Sequence, residues 1–390
     1  MSVLTEEVLE LIDARFTGRV NTVITFMLER LGLRIKQIGQ LSPSDAYALA
    51  NSVEIGADIN KIAKELAIAT GKNIDDIYPL YDQIASESTS LAKTLYDYRN
   101  ISYIPYADNI RLQRQVKSWA DLTAGTFENA SRTTGFNLPS NYTGKNIWYN
   151  LASGYRNGID QAVTSVSNGF TSYQDDMYKL IKSYANQGIH TMDYPTGYSR
   201  RLDTSVRMNL LEGVRQVNQG IQNQIGYEVG ADGVEISAHP LCAEDHLPYQ
   251  GRQYTKQAYE ELNNSLARPI GTMNCKHFSY SIVLGVSSPS YTNYQLRQFQ
   301  LQSREKMSYK GQEYTKYEIT QLQRKIETEV RKQKDFQIIG VASNNKKVID
   351  KAQQNITRLT NEYKNLSKAA GIPTQMERMR VVGYKRVSTK

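Results

Sequence analysis

The sequence has few of the cysteines that stabilise secreted proteins, and it lacks the long apolar runs that cross membranes. It contains only 2 cysteines in 390 residues, which excludes a disulfide framework and favours synthesis in a reducing cytosol. No apolar run approaches the roughly eighteen residues that a membrane-spanning helix needs. The N-terminus also has no basic stretch before an apolar one, as a secretory signal would have. We therefore expect no contact with a membrane.

Several enzyme signatures are also missing. The chain has no Gly-x-x-x-x-Gly-Lys-Ser/Thr loop, no Gly-x-Gly-x-x-Gly loop, no His-Glu-x-x-His pair, and no His-x-Glu with Pro-Cys-x-x-Cys. ATPase, dinucleotide, zinc peptidase and zinc deaminase activities therefore lack support. We predict that the protein is not an enzyme.

Tyrosine and positive charge are what the chain has in excess. It has 27 Tyr against 8 Phe, which suits either large, partly polar contact surfaces or cores in which tyrosine replaces phenylalanine. Residues 301–390 contain 20 basic and 9 acidic residues, a net charge of +11, whereas the remainder carries a net charge of −3. This asymmetry indicates either contact with nucleic acid or a solvated helical face rich in lysine.

Apolar periodicity predicts a mainly α-helical protein with a small α/β (α+β) module. The predicted segments are a helical assembly region (1–135), a loop-rich junction (136–200), an α/β module (201–295) and a basic helical hairpin with a tail (296–390). The first segment has an apolar stripe from Ile12 to Ile35 at three- and four-residue steps. Further helices are predicted to start at Ser42 and at Asn73, because both are N-cap residue types.

One dense cluster of metal-ligand side chains lies in the α/β module. Of four His and two Cys in the chain, five fall in a short stretch: His239, Cys242, His246, Cys275 and His277. Cysteine and neutral histidine are zinc ligands, so zinc is the candidate cofactor. Cys275 and His277 could meet one metal only in a tight turn, which Met273-Asn274 could supply.

Other functions for this cluster stay open. The histidines could hydrogen-bond across the module, with the cysteines buried as small apolar residues. Cys242 and His246 could also form a nucleophile pair on one helical turn. Glu244 and Asp245 beside His246 could serve a metal-dependent nuclease or toxin-like enzyme, although neighbouring carboxylates in a loop are usually solvated.

The same segment resembles a known family. Ile236-Ser-Ala-His239, Asp245-His246, Gln250-Gly251-Arg-Gln-Tyr254, Asn274-Cys275-Lys-His277 and Gly285 resemble, in order and spacing, phage minor capsid proteins of the "minor capsid protein 2" type. That family is related to the Mu F-type head morphogenesis proteins. The resemblance covers most of the chain and is tight over residues 200–335, including a helix start from Arg201-Leu-Asp203 to Arg207.

The resemblance implies a structural role in the virion of a tailed bacteriophage. It implies a location inside the head near the portal, partners among the portal and major capsid proteins, and a role in assembly or genome delivery. A scaffold that leaves before maturation is a rival. The position of Cys242 is usually not cysteine in the family, so the preferred metal ligands are His239, His246, Cys275 and His277.

Packaged double-stranded DNA is the partner expected for the basic C-terminal segment, because lysine and arginine displace condensed counterions. We define the C-terminal basic set as the ten side chains predicted to contact it: Lys325, Arg331, Lys332, Lys334, Lys346, Lys347, Arg378, Arg380, Lys385 and Arg386.

Overall fold

The computed structural model describes residues 6–139, 145–168, 173–193, 197–272 and 275–387, and these residues are mainly helical, as predicted. The helices are α1 (Glu6–Ile38), α2 (Pro43–Ala50), α3 (Val53–Leu91), α4 (Lys93–Tyr98), α5 (Ile110–Arg132), α6 (Leu151–Asn168), α7 (Tyr173–Gln187), α8 (Leu202–Glu228), α9 (Lys256–Ser265), α10 (Asn293–Arg304), α11 (Lys316–Ala342) and α12 (Lys346–Ala370). The strands are β1 (Thr134–Pro139), β2 (Asn146–Asn150), β3 (His190–Asp193), β4 (Tyr198–Arg201), β5 (Gly233–Ile236), β6 (Gln253–Thr255), β7 (Ser279–Ile282), β8 (Lys306–Tyr309) and β9 (Gln312–Thr315). Among the described residues, no helix is both long and apolar enough to cross a membrane.

The chain divides into two compact units, and neither is a continuous stretch of sequence. Unit 1 comprises Met1–Asp13, Ile74–Thr126 and Met208–Leu322. Unit 2 comprises Ala14–Asn73, Phe127–Arg207 and Gln323–Lys390. The four consecutive segments expected from the sequence remain a proposal for how the chain is organised.

The N-terminal apolar stripe and the Ser42 cap are confirmed. Phe16, Met27 and Ile35 are at most 1% exposed on α1. The Ser42 hydroxyl accepts a hydrogen bond from the Asp45 backbone N–H at the start of α2. Pro43 takes the first helical position, where the missing N–H has no intrahelical partner to lose.

The predicted helix start at Asn73 is wrong, because Asn73 lies inside α3. Its side chain is buried and serves the tertiary structure instead. The Asn73 amide donates to the carbonyl of Phe16, and its oxygen accepts from Arg19. A capping residue type therefore marks a helix start only when no tertiary partner takes its side chain.

The segment 136–200 is not dominated by loops in its described part. It contributes α6, α7 and most of a four-stranded antiparallel sheet in the order β2-β1-β3-β4. Phe136 on β1 is fully buried and meets the Tyr184 ring edge-on, with centroids 5.3 Å apart. The strands are four to six residues long, so their alternation is too short to stand out among Gly, Ser and Asn.

Tyrosine replaces phenylalanine in several buried positions. Tyr81, Tyr155, Tyr184 and Tyr363 are fully buried. Their hydroxyls make hydrogen bonds within the protein, for example between Tyr81 and Thr123 at 2.8 Å. Other tyrosines are exposed, among them Tyr227 and Tyr294. Both interpretations of the tyrosine excess therefore hold in different places.

Gly213 on α8 allows this helix to approach two side chains closely in unit 1. A Cβ atom at Gly213 would lie 2.1 Å from the Tyr81 hydroxyl and 2.4 Å from the Thr123 hydroxyl. We expect Gly213→Ala to lower the free energy of unfolding by about 1–3 kcal/mol, because the buried pair must separate. Gly125→Ala on α5 is the control, since nothing lies within 4 Å of its Cβ position, and it should raise stability by up to about 1 kcal/mol. Urea denaturation of both variants tests this, and equal effects of the same sign would contradict it.

The α/β module contains short strands, as predicted, and they form a small antiparallel sheet. Its order is β6-β5-β7, and α9 follows β6 directly. The sheet positions the His/Cys cluster, because the last residue of β5, Ile236, pairs with the first residue of β7, Ser279. The segment that leaves β5 and the segment that enters β7 therefore start side by side.

The predicted C-terminal hairpin is formed by α11 and α12. Asn345 caps α12 by accepting from the Val348 backbone N–H, and Gly371 ends it with a positive φ of 62°. In unit 2, Val330, Leu359 and Tyr363 form a buried cluster with Met379, which lies beyond the helices. The Thr25 hydroxyl also donates to the carbonyl of Val382. The described part of the basic tail is therefore packed onto unit 2.

Candidate functional site

The His/Cys cluster lies in unit 1, on two irregular segments joined by the β5–β7 pairing. His239, Cys242 and His246 follow β5, and Cys275 and His277 precede β7. The predicted turn residues Met273-Asn274 lie outside the described residues. The Cys275 backbone N–H donates to the carbonyl of Thr272 at 2.8 Å.

Three of the four preferred ligands converge on one point. The Sγ of Cys275 lies 3.6 Å from Nδ1 of His246 and 3.4 Å from Nδ1 of His277. The two histidines are 1% and 2% exposed, and Cys275 is partly buried. We call these three residues the Cys275 triad.

Each histidine of the Cys275 triad is held by a hydrogen bond on its other ring nitrogen. Nε2 of His246 lies 2.6 Å from the carbonyl oxygen of Arg268, which can only accept. Nε2 of His277 lies 3.1 Å from Oε1 of Gln250. That oxygen also accepts from the backbone N–H of His239 at 3.1 Å, which fixes the orientation of the Gln250 amide. Both Nε2 atoms are therefore protonated, and in the neutral form of each ring Nδ1 directs a lone pair toward Cys275.

The electrostatic environment differs among the three members of the Cys275 triad. Burial lowers the pKa of His277 to about 2, so its ring is neutral at physiological pH. Burial raises the pKa of the Cys275 thiol, but hydrogen bonds from His246 and from the backbone of Gly271 and His277 outweigh it and lower that pKa overall. The pKa of His246 is raised, although burial opposes this, because Cys275 and the Arg268 carbonyl stabilise its charged form.

His239 and Cys242 belong to a second group, which shares only His277 with the first. The Cys242 Sγ lies 3.5 Å from Nε2 of His277 and 3.3 Å from the carbonyl of Ala243. Burial raises the pKa of Cys242 to about 12, so this thiol stays protonated. The His239 ring stacks on His277 with centroids 4.6 Å apart. Of the other three preferred ligands, His239 therefore shares a group with His277, whereas Cys275 and His246 belong to the first group.

The two neighbouring carboxylates that could serve a nuclease are engaged in surface ion pairs. Asp245 binds the Arg268 guanidinium through both oxygens, at 2.7 and 3.0 Å. Glu244 pairs with Arg304 at 3.0 Å. Asp245 also lies 3.8 Å from Nε2 of His246. These contacts indicate that the two carboxylates position the segment that follows β5 and carries His246.

Comparison with known families gives a match over most of the chain. The model of the family described as "Phage minor capsid protein 2" matches residues 21–366. The chain belongs to this family. The match spans the whole His/Cys cluster and most of the helical hairpin, and it confirms the resemblance seen in the sequence. No curated protein and no solved structure matches the chain.

In this minor capsid family member, the C-terminal basic set lies in unit 2 and falls into two groups. Six side chains are exposed: Lys325 on α11, Lys346 and Lys347 on α12, and Arg380, Lys385 and Arg386 in the tail. The other four are partly buried: Arg331, Lys332, Lys334 and Arg378. Whether either group contacts DNA stays a prediction.

The partly buried members make contacts within the fold. Lys334 donates to the carbonyl of Met379 at 2.7 Å, and burial lowers its pKa. Arg331 pairs with the buried carboxylate of Asp203 at 3.7 Å. Among the exposed members, Lys347 pairs with Asp175 at 2.5 Å, where both groups remain accessible. The exposed group is therefore better placed to meet a polyanion.

Sequence reasoning did not assign roles to two residues that orient the cluster. Gln250 fixes the tautomer of His277, and the backbone of Arg268 fixes that of His246. The only signal for Gln250 was its place in a block that resembles the family. The Arg268 contact is made by a carbonyl, which every residue type carries, so no sequence signal could have identified it.

Proposed function

We propose that this protein is a structural component of the head of a tailed bacteriophage that contacts packaged double-stranded DNA through the exposed C-terminal basic side chains. The family match over residues 21–366 carries the virion role. A position inside the head near the portal, and contacts with the portal and major capsid proteins, rest on the resemblance to Mu F-type proteins.

The charge distribution supports the contact with DNA. Residues 301–390 have a net charge of +11 while the rest of the chain is slightly acidic. Arg380, Lys385 and Arg386 are exposed on a segment whose backbone accepts hydrogen bonds at the carbonyls of Met379 and Val382. An anchored basic segment presents its charges without the cost of ordering a free tail, which favours binding to phosphates.

The DNA contact predicts a specific change in salt dependence. Replacing Arg380, Lys385 and Arg386 with glutamine should lower the slope of log affinity against log salt concentration by up to about 2.7, because each lost phosphate contact removes about 0.9. Fluorescence anisotropy with duplex DNA at several salt concentrations measures this slope.

A matched variant controls for the loss of net charge. Lys64, Arg111 and Arg114 are exposed elsewhere on the chain, and replacing them with glutamine removes the same three charges. That variant should leave the slope almost unchanged. Equal slopes for the two triple variants would show that the C-terminal side chains are not the DNA interface.

The virion role is tested by quantitative mass spectrometry of purified particles. We expect a low, fixed copy number per head, because a protein that binds a cyclic portal is limited by the symmetry of that ring. Absence from mature particles combined with presence in infected cells would instead support a scaffold that leaves during maturation.

A further inference from the structure

The Cys275 triad has too few protons to satisfy its own lone pairs. The Nδ1 atoms of His246 and His277 both face the Cys275 sulfur, and both are acceptors because their Nε2 atoms carry the ring protons. One thiol proton can serve only one of them. The other acceptor would be left buried and unpaired, at a cost of about 1–3 kcal/mol.

Moving the proton does not resolve the shortage. Transfer from Cys275 to His246 creates a thiolate beside an imidazolium, which satisfies that pair. The thiolate would still face the lone pair of His277 Nδ1 at 3.4 Å. His277 cannot turn its N–H toward the sulfur, because Gln250 holds it on Nε2. A cation bound by all three donors removes the conflict.

The spacing of the donors fits zinc. Bonds of about 2.3 Å to sulfur and about 2.05 Å to nitrogen, at a tetrahedral angle, place the two ligand atoms about 3.6 Å apart. The sulfur–nitrogen distances of the triad are 3.6 and 3.4 Å. Each histidine also donates a hydrogen bond from the N–H of its second ring nitrogen to an oxygen, which is the usual arrangement of a zinc-bound histidine.

We propose that the Nδ1 atoms of His246 and His277 and the Sγ of Cys275 bind one zinc ion. A fourth, non-protein donor such as water completes the tetrahedron. Cys242 is not a ligand, because it faces the protonated Nε2 of His277. His239 supports the site from outside: its ring stacks on His277, and its backbone N–H fixes Gln250.

The zinc ion would hold two irregular segments against a very small sheet. The strands β5, β6 and β7 are only four, three and four residues long, and the segments that carry the ligands lack regular structure. A metal that joins them replaces the apolar core that so short a sheet cannot supply. This proposal does not depend on the DNA contact or on a place near the portal.

Elemental analysis of the full-length protein, purified without chelator in medium containing zinc, is the first test. We expect about one zinc per chain, and loss of most of it in both Cys275→Ser and His277→Asn. Cys242→Ser is the matched control, and it should keep its zinc. Zinc absent from the wild-type protein, or lost equally in Cys242→Ser, would overturn the proposal.

A second measurement on the wild-type chain does not depend on whether the variants fold. Removal of zinc with a chelator should lower Tm by at least about 5 °C, and added zinc should restore it. Cobalt in place of zinc should show the visible absorption of a tetrahedral site and a charge-transfer band from one thiolate. A chelator-insensitive Tm, or cobalt bands indicating only oxygen and nitrogen ligands, would argue against the Cys275 triad as the site.

Discussion

Replacing Arg201 with methionine is expected to lower the free energy of unfolding by about 3–5 kcal/mol, because it leaves two buried carboxylates without their shared cation. Arg201 is 8% exposed at the end of β4, and Asp203 and Asp335 are 2% and 1% exposed. The guanidinium binds Asp335 at 2.9 Å and Asp203 at 3.3 Å. Methionine preserves much of the apolar packing of the arginine stem, so the decrease in the free energy of unfolding reflects mainly the removal of the charge.

The network shifts the pKa values of its two carboxyl groups in opposite directions. Burial alone would raise the pKa of Asp203, but the charges of Arg201 and Arg331 outweigh it and keep that pKa far below its usual range. The pKa of Asp335 is raised, because burial outweighs its single close partner. After removal of Arg201, both carboxyl groups must take up protons or stay charged without solvation, and either response destabilises the fold.

Urea denaturation followed by circular dichroism measures the effect. Arg132→Met is the control, because Arg132 pairs with Glu128 on the surface of unit 2 and is 77% exposed. An exposed pair of this kind contributes less than about 1 kcal/mol. Similar losses for the two variants would mean that the buried network does not stabilise the fold through its charges.

Much of the fold could be predicted from sequence wherever an apolar period runs long enough. The α1 and α8 stripes and the α11–α12 hairpin extend over many turns, so single polar interruptions do not hide them. The strands β1 to β4 lack this advantage. Their inward residues, such as Phe136 and Leu138 on β1, repeat only twice before the strand ends. The β1–β3 pairing joins two antiparallel strand pairs from distant parts of the chain into one sheet, and no local pattern reports that pairing.

The candidate metal site was predictable in its residue types but not in its grouping. Five metal-ligand side chains close together in sequence identified the region. Two backbone groups that sequence cannot reveal, the N–H of His239 and the carbonyl of Arg268, decide which nitrogen of His277 and His246 faces Cys275. Cys275, His246 and His277 form one group, while His239 and Cys242 form a second group that shares His277. The positive charge of the C-terminal basic set could also be predicted from the sequence. The partial burial of Lys334 and Arg331 could not, because it depends on tertiary packing.

Acidification from pH 7 to pH 5 is expected to lower the stability of the wild-type protein by about 2 kcal/mol more than that of His190→Asn. Burial, aided by the charge of Arg201, lowers the pKa of His190 to about 4, against about 6.5 in an unfolded chain. Between these values the unfolded state binds a proton that the folded state does not. The stabilising contribution of neutral His190 is therefore fully present above about pH 6.5 and is lost as the pH falls toward 4.

Asparagine preserves the local contact while removing the titration. The Nδ1 of His190 lies 3.2 Å from the Ser199 hydroxyl, and the Asn oxygen can occupy a similar position. The other three histidines are present in both proteins, so their titration cancels when the two are compared. Urea denaturation of each protein at pH 7 and pH 5 gives its change in the free energy of unfolding, and the two changes are then compared. An equal loss of stability in both proteins would show that His190 is protonated in the folded state, and hence that the Arg201 network does not exclude a further positive charge beside it.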